Sequence, residues 1–318
     1  MDRLDADTIR EGLSTRAVGS RVVVFESTAS TNAVAAEYAR SPGHHGLVVL
    51  AEIQTSGRGR GGNRWLSDRG QSLLCSVVLT QCTLRAELVS LTAAVASAQA
   101  IGPQTRIKWP NDILLSGKKV AGILTECKAL EGSTAYVIGI GINCHQRTED
   151  FPAELRATAT SLDLATGTAV DRNRLARQLL VCLDHWLAVA DQDPGQVVHA
   201  WKQLSMHAGR RLTLVHDGKR YSGTCIGVEP EHGLILQLDR GGVRMFDAAH
   251  SHIDPVEDRA VGTEPHKASR KRSTAAPPQA PVQRALGGAV PRTDGRLSDA
   301  DQTQGPIDKE KPCEDAPF

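Results

Sequence analysis

Nine consecutive residues, Gly57 to Trp65 (Gly-Arg-Gly-Arg-Gly-Gly-Asn-Arg-Trp), limit what this chain can fold into more than any other stretch. Four glycines and three arginines in nine residues cannot make a core strand or a stable helix: glycine gives up too much backbone freedom, and arginine resists burial. The mixture suits a mobile loop that meets an anionic ligand with backbone N–H groups and guanidinium forks. Apolar runs at residues 47–53 and 72–80 read as strands on either side. The loop is not a phosphate loop of the Gly-Lys-Ser/Thr type, because that ending and a following helix pattern are both missing. It is not a dinucleotide fingerprint either. A solvated glycine linker is the bland alternative.

Length and charge bound the rest. The 318 residues are enough for one sizeable domain plus additions. Lys and Arg total 37 and Asp and Glu total 36, a net charge of +1, so bulk electrostatics gives no reason to expect a nucleic-acid or membrane partner. The apolar runs are too short to span a bilayer, and the first nineteen residues lack the apolar core of a secretion signal. Seven cysteines lie scattered without a Cys-x-x-Cys pair or zinc spacing, as expected of reduced thiols in a cytoplasmic protein. His44 and His45 adjoin Pro42 and Gly43 and read as a turn.

Three regions separate by composition. Residues 21–206 alternate strand runs with amphipathic helix patterns, with strands at 22–25, 47–53, 72–80, 106–108, 112–115, 118–126 and 135–140. Helices are expected at 32–38, after an N-cap at Thr31, and at 84–100, 172–189 and 194–204. Residues 207–255 read as four or five short antiparallel strands separated by Gly-bearing turns, which suggests a small all-β barrel. Residues 256–318 are rich in Pro, Ala, Gln, Asp and Arg and poor in aliphatics, so they are expected to be a disordered tail; the basic cluster at 267–272 reads as a solvated charge run.

Further segments give the loop a chemical context. Ser30, Thr31 and Asn32 bunch short polar side chains at a helix start, where free N–H groups suit a polar or anionic ligand; ordinary capping is the plainer reading. Gln54 ends a buried strand and can donate and accept in one plane, as a urea-like ligand needs, though a loop position explains it equally. Lys108-Trp109-Pro110-Asn111-Asp112 bunches polar groups beside apolar strands. It offers a cation for phosphate and a carboxylate for magnesium, against the alternative of a polar turn. If Ser116-Gly117 closes a two-residue hairpin, Leu114 pairs with Lys119, and Asp112 shares a face with the Lys119 ammonium. Gly139-Ile140-Gly141-Ile142-Asn143 and Ala159-Thr160-Ser161-Leu162 could bring backbone close to a ligand.

In order, spacing and residue type these segments resemble those of the biotin protein ligases, from about residue 26 to residue 255. The matching series is Ser-Thr-Asn, Gln-Thr-Ser-Gly-Arg-Gly-Arg, Lys-Trp-Pro-Asn-Asp, Lys-Val-Ala-Gly-Ile-Leu, Gly-Ile-Gly-Ile-Asn and Ala-Thr-Ser-Leu. The resemblance implies an α+β fold, a mixed β-sheet flanked by helices similar to class II aminoacyl-tRNA synthetases, followed by the small barrel. It implies activation of biotin by ATP with Mg2+ to biotinyl-5'-adenylate, then transfer to a lysine of biotin carboxyl carrier protein or another biotin-dependent carboxylase domain. Lys119 and Arg60 would be the catalytic cations. Ser30, Thr31, Asn32, Gln54, Arg58, Gly59, Arg60 and Lys119 would hold biotin. Lys108, Asn111, Asp112 and Asn143 would hold ATP, with Asp112 on the magnesium.

The resemblance has one internal departure: the family usually carries another arginine where Asn63 stands. Either Arg64 substitutes or the loop closes less tightly. Only twenty residues precede Arg21, too few for the winged helix-turn-helix of family members that are also repressors, so the expectation is a monofunctional ligase without operator binding. Dimers occur in the family, and the sequence leaves the oligomeric state open. Rival readings are a lipoate ligase or octanoyltransferase, a biotin-sensing regulatory protein and a bare nucleotide-binding module.

Overall fold

A computed structural model of the chain describes residues 2–130 and 133–254. The expected tail and its basic cluster lie outside those residues.

Strands β1 (Val22–Phe25), β2 (Val48–Ala51), β3 (Ser72–Leu79), β4 (Thr105–Lys108), β5 (Asp112–Leu115), β6 (Lys118–Leu130) and β7 (Ser133–Asn143) form one sheet in the order β1-β2-β3-β7-β6-β5-β4. Only β1 and β2 run parallel; every other pair is antiparallel. The mixed sheet expected from the sequence is therefore present. The two long strands run further than their sequence pattern indicated, to Leu130 and Asn143, because their ladder continues past the glycines.

The sheet has two unlike faces. On one, helices α3 (Ala86–Ile101), α5 (Arg172–Gln192) and α6 (Pro194–Leu204) bury Leu73, Val77, Ile107, Ile113, Ile138, Ile140 and Ile142 in the main core. Helix α5 supplies Leu175, Leu179, Leu180, Leu183 and Trp186, the apolar stripe its periodicity predicted. The other face carries α2 (Thr31–Tyr38), whose Ala35, with Ala39 at the C-cap, packs on Leu47, Val49, Val78, Ala135 and Val137. Side chains alternate along a strand, so on this face β7 presents Ala135, Val137, Gly139 and Gly141 in turn. The loss of side-chain volume toward Gly141 opens space beside the N-terminus of α2.

Two short helices were not expected, α1 (Ala6–Arg10) and α4 (Leu162–Thr166). Residues 2–10 are strapped to the core: Asp2 and the Leu4 backbone meet Arg172 and Glu52. Ser30, rather than Thr31, is the N-cap of α2, and the helix starts one residue earlier than the sequence suggested.

The C-terminal strands β8 (Arg211–His216), β9 (Lys219–Glu229), β10 (Gly233–Leu238), β11 (Val243–Phe246) and β12 (Ser251–Ile253) make a second, antiparallel sheet, ordered β11-β10-β9-β8-β12. Its core is Leu212, Leu214, Cys225, Val228, Leu234, Leu236 and Phe246. β12 was not foreseen; three residues are too few to show alternation.

Candidate active site

A cleft of about 540 Å³ opens on the α2 face of the large sheet. Its lining includes Ser30, Thr31, Asn32, Gln54, Arg58, Gly59, Arg60, Lys108, Asn111, Asp112 and Lys119, which the sequence had placed in four separate segments. Asn143 does not line it. That side chain is buried below, donating to the Thr160 carbonyl at 3.0 Å and accepting from Gln146, so it braces the strand end against the 159–161 segment.

One end of the cleft is polar and uncharged. The Gln54 oxygen accepts from the Thr31 backbone N–H at 2.7 Å and the Thr31 hydroxyl at 3.0 Å, so what Gln54 keeps for a ligand is its amide nitrogen. Ser30 is the N-cap by position, yet its hydroxyl makes no capping bond and stays available at the helix N-terminus. The Ser76 hydroxyl, on β3, donates to Asn32 Oδ1 at 2.6 Å and lies 2.8 Å from Thr31 Oγ1. Gly139 has to be glycine, because a Cβ would overlap the Asn32 carboxamide.

The other end is cationic. The β5–β6 hairpin pairs Leu114 with Lys119 and Leu115 with Lys118, as the two-residue turn required. A bulge then shifts the register, so that Asp112 faces Gly122. The bulge keeps Asp112, Lys119 and Gly122 on one side, and the Lys119 ammonium sits 2.6 Å from the Asp112 carboxylate. Backbone bonds from Lys119 to Thr158 and Thr160 hold the strand edge. Asn111 exchanges bonds with the Ile123 backbone, its Nδ2 donating at 2.8 Å.

The Gly57–Trp65 loop folds over this end as a small hairpin. Gly59 N–H donates to Asn63 O at 2.7 Å and Trp65 N–H to Gly57 O at 3.0 Å, with a one-turn 3-10 helix at Arg60–Gly62. Asn63, the departure from the family pattern, donates through Nδ2 to the Arg60 carbonyl at 2.8 Å and closes that turn. Arg64 bridges to Arg58 through the backbone and lines the cleft. The Trp65 ring lies on the floor at Gly122 and Gly141, where a Cβ on Gly141 would come within 2.6 Å of it, and Lys119 Nζ stands 5.8 Å from the ring centre. Arg60 reaches the second sheet, donating to the Ser251 carbonyl at 2.8 Å. Burial pushes the Arg60 pKa below its usual value, and the charges of Asp112 and Asp247 offset this only in part. Residues 249–253 thus form a wall that the sequence gave no sign of.

No cysteine here is a nucleophile. The backbone of Cys75 borders the cleft, but its thiol points into the main core, where burial pushes it up to about 12. Among the described residues no three His, Cys, Asp or Glu side chains gather as they would around a metal held by protein alone. No helix among them is long and apolar enough to cross a membrane.

A helix N-terminus, glycine-bearing strands and a cationic hairpin loop converging on one cleft define a protein that receives a polar, anionic ligand beside a second charged group. Residues 24–143 match the model of the biotin/lipoate A/B protein ligase family. The chain is 36% identical over 249 residues to the biotin--[acetyl-CoA-carboxylase] ligase of Mycobacterium tuberculosis, covering 74% of this chain and 90% of that protein. It is 34% identical over 254 residues to the bifunctional ligase/repressor BirA of Bacillus subtilis, covering 77% and 78%. The fold matches a biotin protein ligase from Aquifex aeolicus, solved in complex with biotin and ATP, with a TM-score of 0.64 at 24% identity over 74% of this chain and 99% of that one. The chain belongs to the biotin/lipoate A/B protein ligase family.

Proposed function

We propose that this protein is a biotin protein ligase: it condenses biotin with ATP to biotinyl-5'-adenylate and transfers the biotinyl group to a lysine of a biotin carboxyl carrier protein or equivalent carboxylase domain. The observation that carries this reading is the cleft's polarity, with an uncharged hydrogen-bonding end at Ser30, Thr31 and Gln54 and a cationic end at Lys119 and Arg60. A cyclic urea fits the first, and a carboxylate meeting a polyphosphate needs the second. A plain acyl chain would leave the polar groups of the first end without partners, which disfavours a lipoate ligase.

In the first step a biotin carboxylate oxygen bonds to the α-phosphorus as the bond to pyrophosphate breaks. Both reactants are anions, so the approach requires cations that strengthen their contacts as charge builds. Lys119 stands where the two meet, and Arg60 guards the phosphates from the lid. In the second step the acceptor amine attacks the anhydride carbonyl, the C–O bond to AMP breaks, and no protein nucleophile is needed. Until then the loop must keep water from the adenylate.

Lys108, Asn111 and Asp112 would hold the nucleotide, a reading supported by their presence together in the cleft lining. Magnesium arriving with ATP needs few protein ligands, because phosphates and water fill most of its shell. The single carboxylate of Asp112 fits that demand and would hold the ion, whose contribution is to neutralise phosphate charge. Exchange of labelled pyrophosphate into ATP tests the reading. Exchange should require biotin, ignore lipoate, and end in a labelled carrier domain; exchange indifferent to biotin would refute it.

A further inference from the structure

Glu126 was not among the residues the motifs singled out, yet it joins the two halves of the cleft. Beyond the bulge, β6 alternates Gly122, Leu124 and Glu126 on the cleft side, in line with Lys119. One carboxylate oxygen of Glu126 accepts from Asn32 Nδ2 at 2.7 Å and from Arg58 Nη2 at 2.9 Å. Asn32 is fixed in this orientation: its amide also reaches the Leu124 carbonyl at 3.2 Å, and its oxygen takes the Ser76 hydroxyl. Both hydrogens of the Asn32 amide are therefore spent on β6, so its part at the polar end is to aim Glu126.

Arg58 belongs to the Gly57–Trp65 hairpin, between the rungs that join Gly57 to Trp65 and Gly59 to Asn63, and faces Arg64 across it. A force on the Arg58 side chain therefore moves the lid as one piece. The lid has three anchors: Arg58 on Glu126, Arg60 on the Ser251 carbonyl and Trp65 on Gly141. The first is an ion pair with side chains 49% and 34% exposed, and pairs that open to water contribute only a small, salt-sensitive amount. That strength suits a catch that holds and releases.

We propose that Glu126 is a positioning residue: held by Asn32, it docks Arg58 and sets how long the closed lid retains the acyl-adenylate. The inference rests on the ligase reading. Its test uses the full chain loaded with labelled biotin and MgATP, followed by a chase that times release of labelled adenylate. Glu126→Gln keeps an acceptor for Asn32 and removes the charge; Arg58→Met approaches the pair from the other side. Each should speed release about two- to five-fold, and the double variant should release no faster than either single. Raising salt should speed the parent toward the variants and leave the variants unmoved. A loosened fold would not produce this combination of non-additivity and salt dependence. Release unchanged in Glu126→Gln, multiplying effects in the double variant, or a salt-blind parent would overturn the latch. Parent protein that forms no adenylate at all would instead remove the ligase reading on which it rests.

Discussion

Two groups of cations in this molecule are built in opposite ways. Arg172, at the start of α5, is wholly buried, and four of its five guanidinium hydrogens have acceptors inside the fold: Nε bonds Asp2 at 2.8 Å, Nη1 bonds Glu52 at 2.8 Å and the Ser72 carbonyl at 3.2 Å, and Nη2 bonds the Asp2 carbonyl. Burial alone would lower its pKa, but the hydrogen bonds and charges of Glu52 and Asp2 outweigh that and raise it. In the cleft, Lys119 rests on Asp112, Arg58 on Glu126 and Arg60 on the Ser251 carbonyl, and the Lys119 and Arg58 side chains are 37% and 49% exposed. A buried cation with most of its donors matched inside the fold has little left for a ligand. One resting on a single replaceable partner can exchange it for a phosphate or carboxylate at small cost. The first arrangement ties residues 2–5 to the sheet, and the second leaves charge in reserve.

The contrast breaks most sharply at Arg172. Arg172→Met strands the Glu52 carboxylate, itself only 4% exposed, and should cost about 3–5 kcal/mol of stability in urea unfolding. A loss below about 1 kcal/mol would mean the cluster relaxes to admit water. Lys119→Ala should do the reverse, cutting biotin-dependent pyrophosphate exchange by roughly 10²- to 10³-fold while barely moving the urea midpoint, since the side chain is part-exposed and its partner Asp112 can reach solvent. Equal loss of exchange and stability would erase the distinction.

Gly141→Ala tests the lid seat. The new methyl would stand 2.6 Å from the Trp65 ring, and overpacking of this kind costs typically about 1–3 kcal/mol. The displaced lid should shorten the adenylate's lifetime on the enzyme about ten-fold, and an unchanged lifetime would mean that Trp65 does not seat the lid. The smallest effect is expected from Asp2→Asn. Burial acts to raise the Asp2 pKa, but the hydrogen bonds and charge of Arg172 prevail and hold it below the usual aspartate value. The unfolded chain therefore binds this proton first as pH falls. The contribution is complete above about pH 4 and fades as pH drops through the lower folded value. The variant's stability should consequently fall less steeply with acid below pH 4 than the parent's, as acid titrations followed by circular dichroism would show; equal slopes would place the linkage elsewhere.

Much of the site was legible because its signals are local. A glycine-arginine run between two strands, a Lys-Trp-Pro-Asn-Asp turn and a two-residue hairpin each carry their geometry within a few residues, and the hairpin register brought Lys119 to Asp112 as alternation required. Asn143 shows how far local signals reach. It sits on the same glycine-bearing strand, but its side chain is taken up by the Thr160 carbonyl and Gln146, partners that no local pattern indicates. Nothing local indicated that residues 249–253 would wall the cleft, since the Arg60–Ser251 contact spans 191 positions. Nor did the pattern tell Arg172 from any other arginine near a helix start; its partners Asp2, Glu52 and Ser72 come from three distant segments.

From its sequence alone the chain determined its strand alternation, its turns, its family resemblance and a cationic loop too rich in glycine to lie in a core. The tertiary structure alone decided which charges are matched internally and which are held ready, because pairing depends on acceptors brought together from far along the chain. It also decided that the carboxylate of Glu126, a residue no motif singled out, is shared between Asn32 and the lid's Arg58.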